Sequence, residues 1–362
     1  MSMEVVKKGM VWLMTLLFIA YSLTAAAEEP TKCGQGGNKT HLFIEGVHRI
    51  WYVDDEPGGD PPEDYTSIQD AINNASPGDI IYVYNGTYRE NIIIDRSIEL
   101  LGESKSGTVI DARNISYGAS IRSSNVRLKG FTITNGSSES GGMVIIYEKK
   151  EKRIRYISIE DCAITGNKGY GVKIVGKFQK PKGANRASVP SIDGVIVSHC
   201  KITVNGGGGV YSKSANIERI TYCNISGNDG DGIHIEQSPV TIIMENLVMN
   251  NNGHGLFLKG DPAAWLGIFF VQENHIAEND ETGLTLETYV FTGFVSRNNF
   301  IGNHGKYQMV ADLWLPPLPL FIRNNYWKPY TISTKLFRIL PLRGDRNPRL
   351  SNPWDIPEVD DP

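Results

Sequence analysis

Six side chains of acid-base type crowd one stretch of the chain: Asp229, Asp231, His234, Glu236, His254 and Asp261. A carboxylate beside an imidazole can take up and return a proton, which is the step that general acid-base cleavage of a polymer needs. Asp231, His234 and His254 are therefore the candidate catalytic residues, expected to act on a polysaccharide laid along the molecule. Tyr211, Glu236, Phe257 and Lys259 are interleaved with them and are the candidate ligand contacts. The same stretch also has a plainer use. Lys213, Glu236, Lys259 and Glu287 recur in step, and opposite charges on neighbouring strands stabilise a sheet by ~0.2–1 kcal/mol per pair. The reading of Glu236 as a ladder partner comes first.

Two further groups have metal-binding chemistry in reach. Cys162, Cys200 and Cys223 fall at one repeated position, where stacked thiolates would suit a soft ion such as Cu(I). Parallel in-register side chains hold their Cβ atoms farther apart than the ~3.8 Å mean of a disulfide, so buried, unbridged thiols packing as small apolar groups are expected. Cys33 stands apart from this column. Asp54, Asp55, Glu56, Asp60, Glu63 and Asp64 supply hard oxygens for Ca²⁺ near the start of the folded region, although Pro57, Pro61 and Pro62 interrupt them and no ligand spacing emerges. No metal ligands are assigned, and no cofactor follows beyond Ca or Cu as candidates.

What must position these residues is a repeat. Cys162-x-Ile164-x-x-Asn167-x-x-x-Gly171 recurs from Cys200, Cys223, Asn246 and Asn274, and less completely from Asn298, at spacings of 38, 23, 23, 28 and 24 residues. A period near 23 with insertions is one coil of a solenoid. After each Gly, residues of one parity are apolar: Val172 and Ile174, Ile233 and Ile235, Leu256 and Leu258, Leu284 and Leu286, with Val210 paired to Ser212. Short strands buried on one face follow, and no helical period competes. The fold class is all-β, a parallel β-helix, with equivalent residues stacked ~4.8 Å apart. Asn167, Asn205, Asn228, Asn251, Asn279 and Asn303 form one column that bonds from coil to coil, and Asn246, Asn274 and Asn298 continue the cysteine column.

Open sheet ends invite pairing with other chains, so caps are expected. Thr66 or Ser67 caps a short helix running through Asn74, with Ile68, Ala71 and Ile72 on one face and Pro77-Gly78 ending it. The first coil then begins at Asp79. The β-helix with its cap occupies residues 50–326, preceded by a linker at 28–49. Residues 327–362, rich in Pro and carrying Trp327, Phe337, Leu340 and Trp354, form an irregular strap. Ile242, Phe270 and Phe294, with Val240 and Ile268, make an outward apolar stripe that this strap is expected to cover.

Lys7 and Lys8, the apolar run Gly9 to Leu23 and the small residues Ala25 to Ala27 read as a cleavable signal peptide over residues 1–27. The protein is expected to be secreted or on the cell surface, without a later membrane span. Six Asn-x-Ser/Thr patterns, at Asn38, Asn74, Asn85, Asn114, Asn135 and Asn224, accompany that address. With 36 basic against 40 acidic residues the net charge is -4, which gives no general attraction to phosphate backbones and argues against nucleic acid. A monomer is expected, with a polysaccharide or cell-envelope component as partner.

The repeat resembles the PbH1 type of the right-handed parallel β-helix, the pectin-lyase-like fold, and the resemblance implies the right hand. The opening, from Ile50 through "YTSIQDAINNASPGDIIYVYNGTYRENI", is similar to that of NosD-like secreted β-helix proteins common in archaea, and "IRNNYW" followed by "SNPWDIP" is similar to their tail. The resemblance spans roughly residues 50–356. It implies the fold firmly and activity weakly, because this fold hosts lyases, hydrolases, epimerases and accessory proteins. Gly253-His254-Gly255 resembles a polygalacturonase motif, but that family's paired Asp motifs and Arg-Ile-Lys string are missing. The reading is a non-catalytic module binding carbohydrate or an envelope component. One alternative is a polysaccharide lyase or hydrolase, with Lys177 to Lys182 supplying positive charge. The other is a copper-delivery accessory protein of the NosD kind.

Overall fold

The computed structural model describes residues 48–56, 58, 63–137, 141–146, 153–179, 189–260, 267–288, 291–313, 320–329 and 331–336. The signal peptide, Cys33, Asp60, Asp261 and the strap beyond Leu336 lie outside them. From Ile80 the chain cycles repeatedly through three strands, which stack on their counterparts in the next coil to build three parallel sheets. Sheet I has 11 strands, from Ile50–Val53 to Leu320–Arg323. Sheets II and III have 10 each, from Gly86–Tyr88 to Tyr326–Lys328 and from Ile92–Ile94 to Ile332–Leu336.

Alternation explains why such short strands hold together. In sheet III, Val172, Val210, Ile233, Leu256 and Leu284 share one inward column and are fully buried. Burying one such side chain is worth ~1.5–3 kcal/mol, and each coil supplies several. Ser212 sits in the second inward column between Ile174 and Ile235, and its hydroxyl is buried with no partner among the described residues.

The short turns follow one rule. The residue before each ladder Asn is left-handed: Gly166, Gly227 and Gly302 at φ 66°, 64° and 62°, but Val204 at 56° and Asn250 at 54°. The Asn then lies buried, and its Nδ2 donates to the Oδ1 of the next. These bonds run from Asn167 to Asn205 (2.9 Å), on to Asn228 (3.0 Å), Asn251 (2.8 Å), Asn279 (2.9 Å) and Asn303 (2.8 Å). Gln308 closes the column, accepting from Asn303 Nδ2 at 2.6 Å. The second column runs Asn246, Asn274, Asn298 and Asn325 with bonds of 3.0, 2.9 and 3.0 Å.

Both ends depart from the sequence expectation in extent. The helix is Ile68–Asn74 with Ser67 as cap, and Glu90 from the first coil accepts from the backbone N–H of Ile68 and Gln69. The sheet does not start at Asp79, however: Ile50–Val53 already pairs in parallel with Ile80–Val83. Buried Asp79 pins that added strand by accepting from Arg49 N, Trp51 Nε1 and Ser76 N at 2.8–3.0 Å. At the other end the solenoid runs past residue 326. Trp327 belongs to a sheet II strand and stacks on Phe300 at 4.3 Å, because Asn325-x-Trp327 is one more copy of Asn298-x-Phe300. The outward stripe is present, with Ile242, Phe270 and Phe294 in one register column and the two rings stacked at 5.1 Å.

Candidate functional site

Gly230, in the turn that follows Asn228, has no room for a side chain, since a Cβ there would run into the Gly207 carbonyl of the preceding coil. The turn delivers Asp231 to the lip of sheet III. In the strand Ile233–Glu236 the two Ile point inward, so His234 and Glu236 stand on the outer surface. Register then assembles two columns. Tyr211, His234, Phe257 and Thr285 are neighbours in the first, and Lys213, Glu236, Lys259 and Glu287 in the second.

The first column is a row of rings. Tyr211 lies 5.2 Å from His234, and His234 lies 4.5 Å from Phe257. Tyr170, the first residue of the strand Tyr170–Val175, joins the row, stacked on Tyr211 at 4.9 Å. It reaches there because Gly208 has no side chain, and a Cβ at that position would lie 3.2 Å from the Tyr170 ring. Sequence reasoning missed Tyr170. The available signal was the glycine one coil along.

His234 Nδ1 is 2.7 Å from Asp231 Oδ2, and Nε2 is 3.1 Å from Glu236 Oε1. Burial pulls the imidazole toward the neutral form, but the bonds and charges of Asp231 and then Glu236 outweigh it and raise its pKa above the ordinary value. Burial likewise pushes Glu236 up, and Lys213 at 3.0 Å together with His234 more than reverses this, leaving it below the usual carboxylate range. Below its raised pKa both ring N–H groups of His234 are donated to carboxylates, which leaves no lone pair facing a substrate.

His254 stands on the flank, 5.5 Å from Phe257, and its imidazole does not meet Asp231. Asp231 Oδ1 instead accepts from the backbone N–H of His254 at 2.7 Å, while His254 Nε2 pairs with Glu281 at 2.8 Å. Glu281 escaped the sequence analysis because it is offset by one position from the repeat. Asp229 accepts from Asn252 at 3.2 Å. Lys259 pairs with Glu287 at 3.2 Å, so the alternating column is an ion-pair ladder, as the spacing predicts. The structure thus gathers Tyr211, His234, Glu236, Phe257, Lys259 and Asp231 on one face, but the acid-base groups are satisfied by one another.

The metal candidates do not match the chemistry they would need. Cys162, Cys200 and Cys223 are free and buried, each Sγ donating to a backbone carbonyl at 3.1–3.2 Å. Burial pushes the Cys162 and Cys200 thiols well above their ordinary pKa, the opposite of what a thiolate ligand requires. In the opening loop, Asp54 accepts from Glu56 N, Asp55 from Thr87 N, and Asp64 from Tyr52 N, so these carboxylates hold turns and a strand end. Among the described residues no three or more His, Cys, Asp or Glu are gathered where they could hold a metal ion.

With this geometry in hand, the comparisons bear on fold. Residues 178–303 match a family model described as a right handed beta helix region. The solenoid is a right-handed β-helix. Among solved structures, the β-helix is similar to pectate lyase Pel9A at 16% identity, covering 87% of this chain and 82% of that one with a TM-score of 0.55. It also matches the A-module of the Azotobacter vinelandii mannuronan C-5 epimerase AlgE6 at 15% identity, covering 74% and 81% with a TM-score of 0.48. No curated protein sequence matches the chain. At such identity the first likeness is one of fold, and a β-helix of this kind carries several unrelated activities.

Proposed function

We propose that this β-helix is a secreted or cell-surface module that binds carbohydrate or another envelope component on the outer face of sheet III, without cleaving it. The observation that carries the reading is His234. It sits in the middle of the ring row with both nitrogens bonded to carboxylates, so neither nitrogen is turned toward a bound chain. Ring edges, tyrosine hydroxyls and a flanking row of alternating charges suit a hydroxylated chain running along the axis, because apolar contact and hydrogen bonding alternate there. The signal-type N-terminus and the likeness of the opening and closing motifs to NosD-like secreted proteins support the extracytoplasmic address.

The test incubates the mature protein with neutral and acidic polysaccharides and follows new reducing ends, unsaturated products and retention on the polymer together. Retention without turnover, unchanged by His254→Ala, is the expected result. Turnover that disappears in Asp231→Asn or His254→Ala would replace the binding module with a lyase or hydrolase.

A further inference from the structure

Sheet I has a cleft that plays no part in the face just described. Its volume is about 360 Å³, within the ~300–1,000 Å³ range of small-molecule sites. Its floor is Gly102 and Gly130 on neighbouring coils. A Cβ on Gly130 would come 2.6 Å from the Gly102 carbonyl oxygen, and one on Gly102 would collide with the Gly130 carbonyl. No side chain can fill this space from below, so the hollow is a consequence of the backbone packing.

One wall is aromatic. Tyr82 is held edge-on by Tyr84 at 5.2 Å and by Tyr52 at 6.2 Å, which fixes its ring beside Leu101. The other wall is cationic, and its charges are unequally committed. Arg127 is held by Glu160 at 2.8 Å and Glu99 at 3.3 Å, and Lys105, only 12% exposed, by Asp161 at 3.0 Å. Of the lining acids, Asp161 is thereby paired, and Glu103 is turned to the backbone N–H of Asn85 at 2.8 Å. Lys129 stands between Leu101 and Glu160 in register; it is exposed and forms no ion pair among the described residues. The lining therefore carries three cations against two acids, and the Lys129 ammonium, whose charge acts on Glu160 of the neighbouring strand without an ion pair, stands beside a fixed aromatic ring.

We propose that this cleft is a second binding site, taking one ring-bearing organic anion the size of a single carboxylated or sulfated sugar unit, with its charge on Lys129 and its ring against Tyr82. An exposed ammonium next to a preset guanidinium selects anions, because a charge-assisted bond is stronger than a neutral one. The hollow and the tyrosine select a ring over a bare ion.

The experiment titrates the folded protein calorimetrically with glucuronate, N-acetylglucosamine 6-sulfate, glucose and sodium sulfate. At least one anionic sugar is expected to bind about tenfold or more tighter than both glucose and sulfate. Lys129→Ala, an exposed change that leaves the fold intact, should weaken it about tenfold, and Tyr82→Leu should weaken it as well. Tyr211→Ala on sheet III should leave it unchanged, whatever the fate of the polysaccharide site. Glucose binding as tightly as the anionic sugars, sulfate binding as tightly as either, no binding of either sugar anion at millimolar concentration, or undiminished binding in Lys129→Glu would each overturn the proposal.

Discussion

The buried turn columns and the outer face of sheet III are built by the same operation, stacking equivalent residues coil upon coil, yet they use it for opposite ends. In the turns one residue type repeats, and every amide is spent on its neighbours: Asn251 Nδ2 donates to Asn279 Oδ1 and to Ile225 O, while its own Oδ1 accepts from Asn228. On the outer face the residue type changes at each step, from Tyr211 to His234 to Phe257 to Thr285, and the first three remain partly exposed. Repetition with full satisfaction is what stability requires. Variation on a rigid, half-exposed surface is what recognition requires.

The largest effect should come from breaking the repeated column. Asn251→Ala takes the acceptor from the backbone N–H of Asn228, one of two acceptors from Asn228 Nδ2 and one of two donors from Asn279 Oδ1 in a buried turn, at ~1–3 kcal/mol for an unsatisfied group, so a loss of about 3 kcal/mol in a denaturant titration is expected. By contrast, Tyr211→Ala should cost about 1 kcal/mol, mostly lost ring contact at a half-exposed site. Equal losses from the two would erase the distinction drawn here.

Next in size is a gain. Val204 is β-branched, 65% exposed and left-handed at φ 56°, in a column where Gly166 and Gly227 occupy the same turn position. Val204→Gly should relieve that conformation and stabilise by about 1 kcal/mol after the extra freedom of glycine in the unfolded chain is subtracted. Ser212→Ala, which removes a buried hydroxyl without a partner, should also stabilise, by up to about 1 kcal/mol.

The smallest effect is in the pH dependence of the outer face. His234 has a raised pKa in the fold, so its contribution is complete below its ordinary value of 6.5 and is lost as pH rises through the folded pKa. Glu236 has a lowered pKa, so its contribution is complete above its ordinary value of 4.5 and is lost as pH falls through the folded pKa. The cluster of Asp231, His234, Glu236 and Lys213 should stabilise most between about pH 4.5 and 6.5. Asp231→Asn should reduce the fall in stability above that window, measured as melting temperature against pH.

The repeat was the most legible feature of the sequence, because a period near 23 and an Asn four residues before each repeat Gly are set by backbone geometry that side-chain chemistry cannot disguise. Ladder, register and helical cap all followed from it. The ends were less legible. Ile50–Val53 lies a helix away from the strand it pairs with, and Asn325-x-Trp327 lacks the Gly that marks the other copies, so its tryptophan read as part of a strap. At the site, spacing placed Lys213, Glu236, Lys259 and Glu287 correctly as one column. It did not reveal which atom of His254 faces Asp231, since register fixes backbone positions while the imidazole is aimed by Glu281. The sheet I cleft carried no sequence signal, because it is made by what Gly102 and Gly130 lack.

The most direct test of the account compares wild type with the Tyr211→Ala/Phe257→Ala double variant, recording melting temperature and retention on the best-bound polysaccharide in the same preparations. Loss of retention with a melting temperature within a few degrees of wild type is the predicted result. Retention that survives in a folded double variant would contradict it, and would move the binding surface away from sheet III.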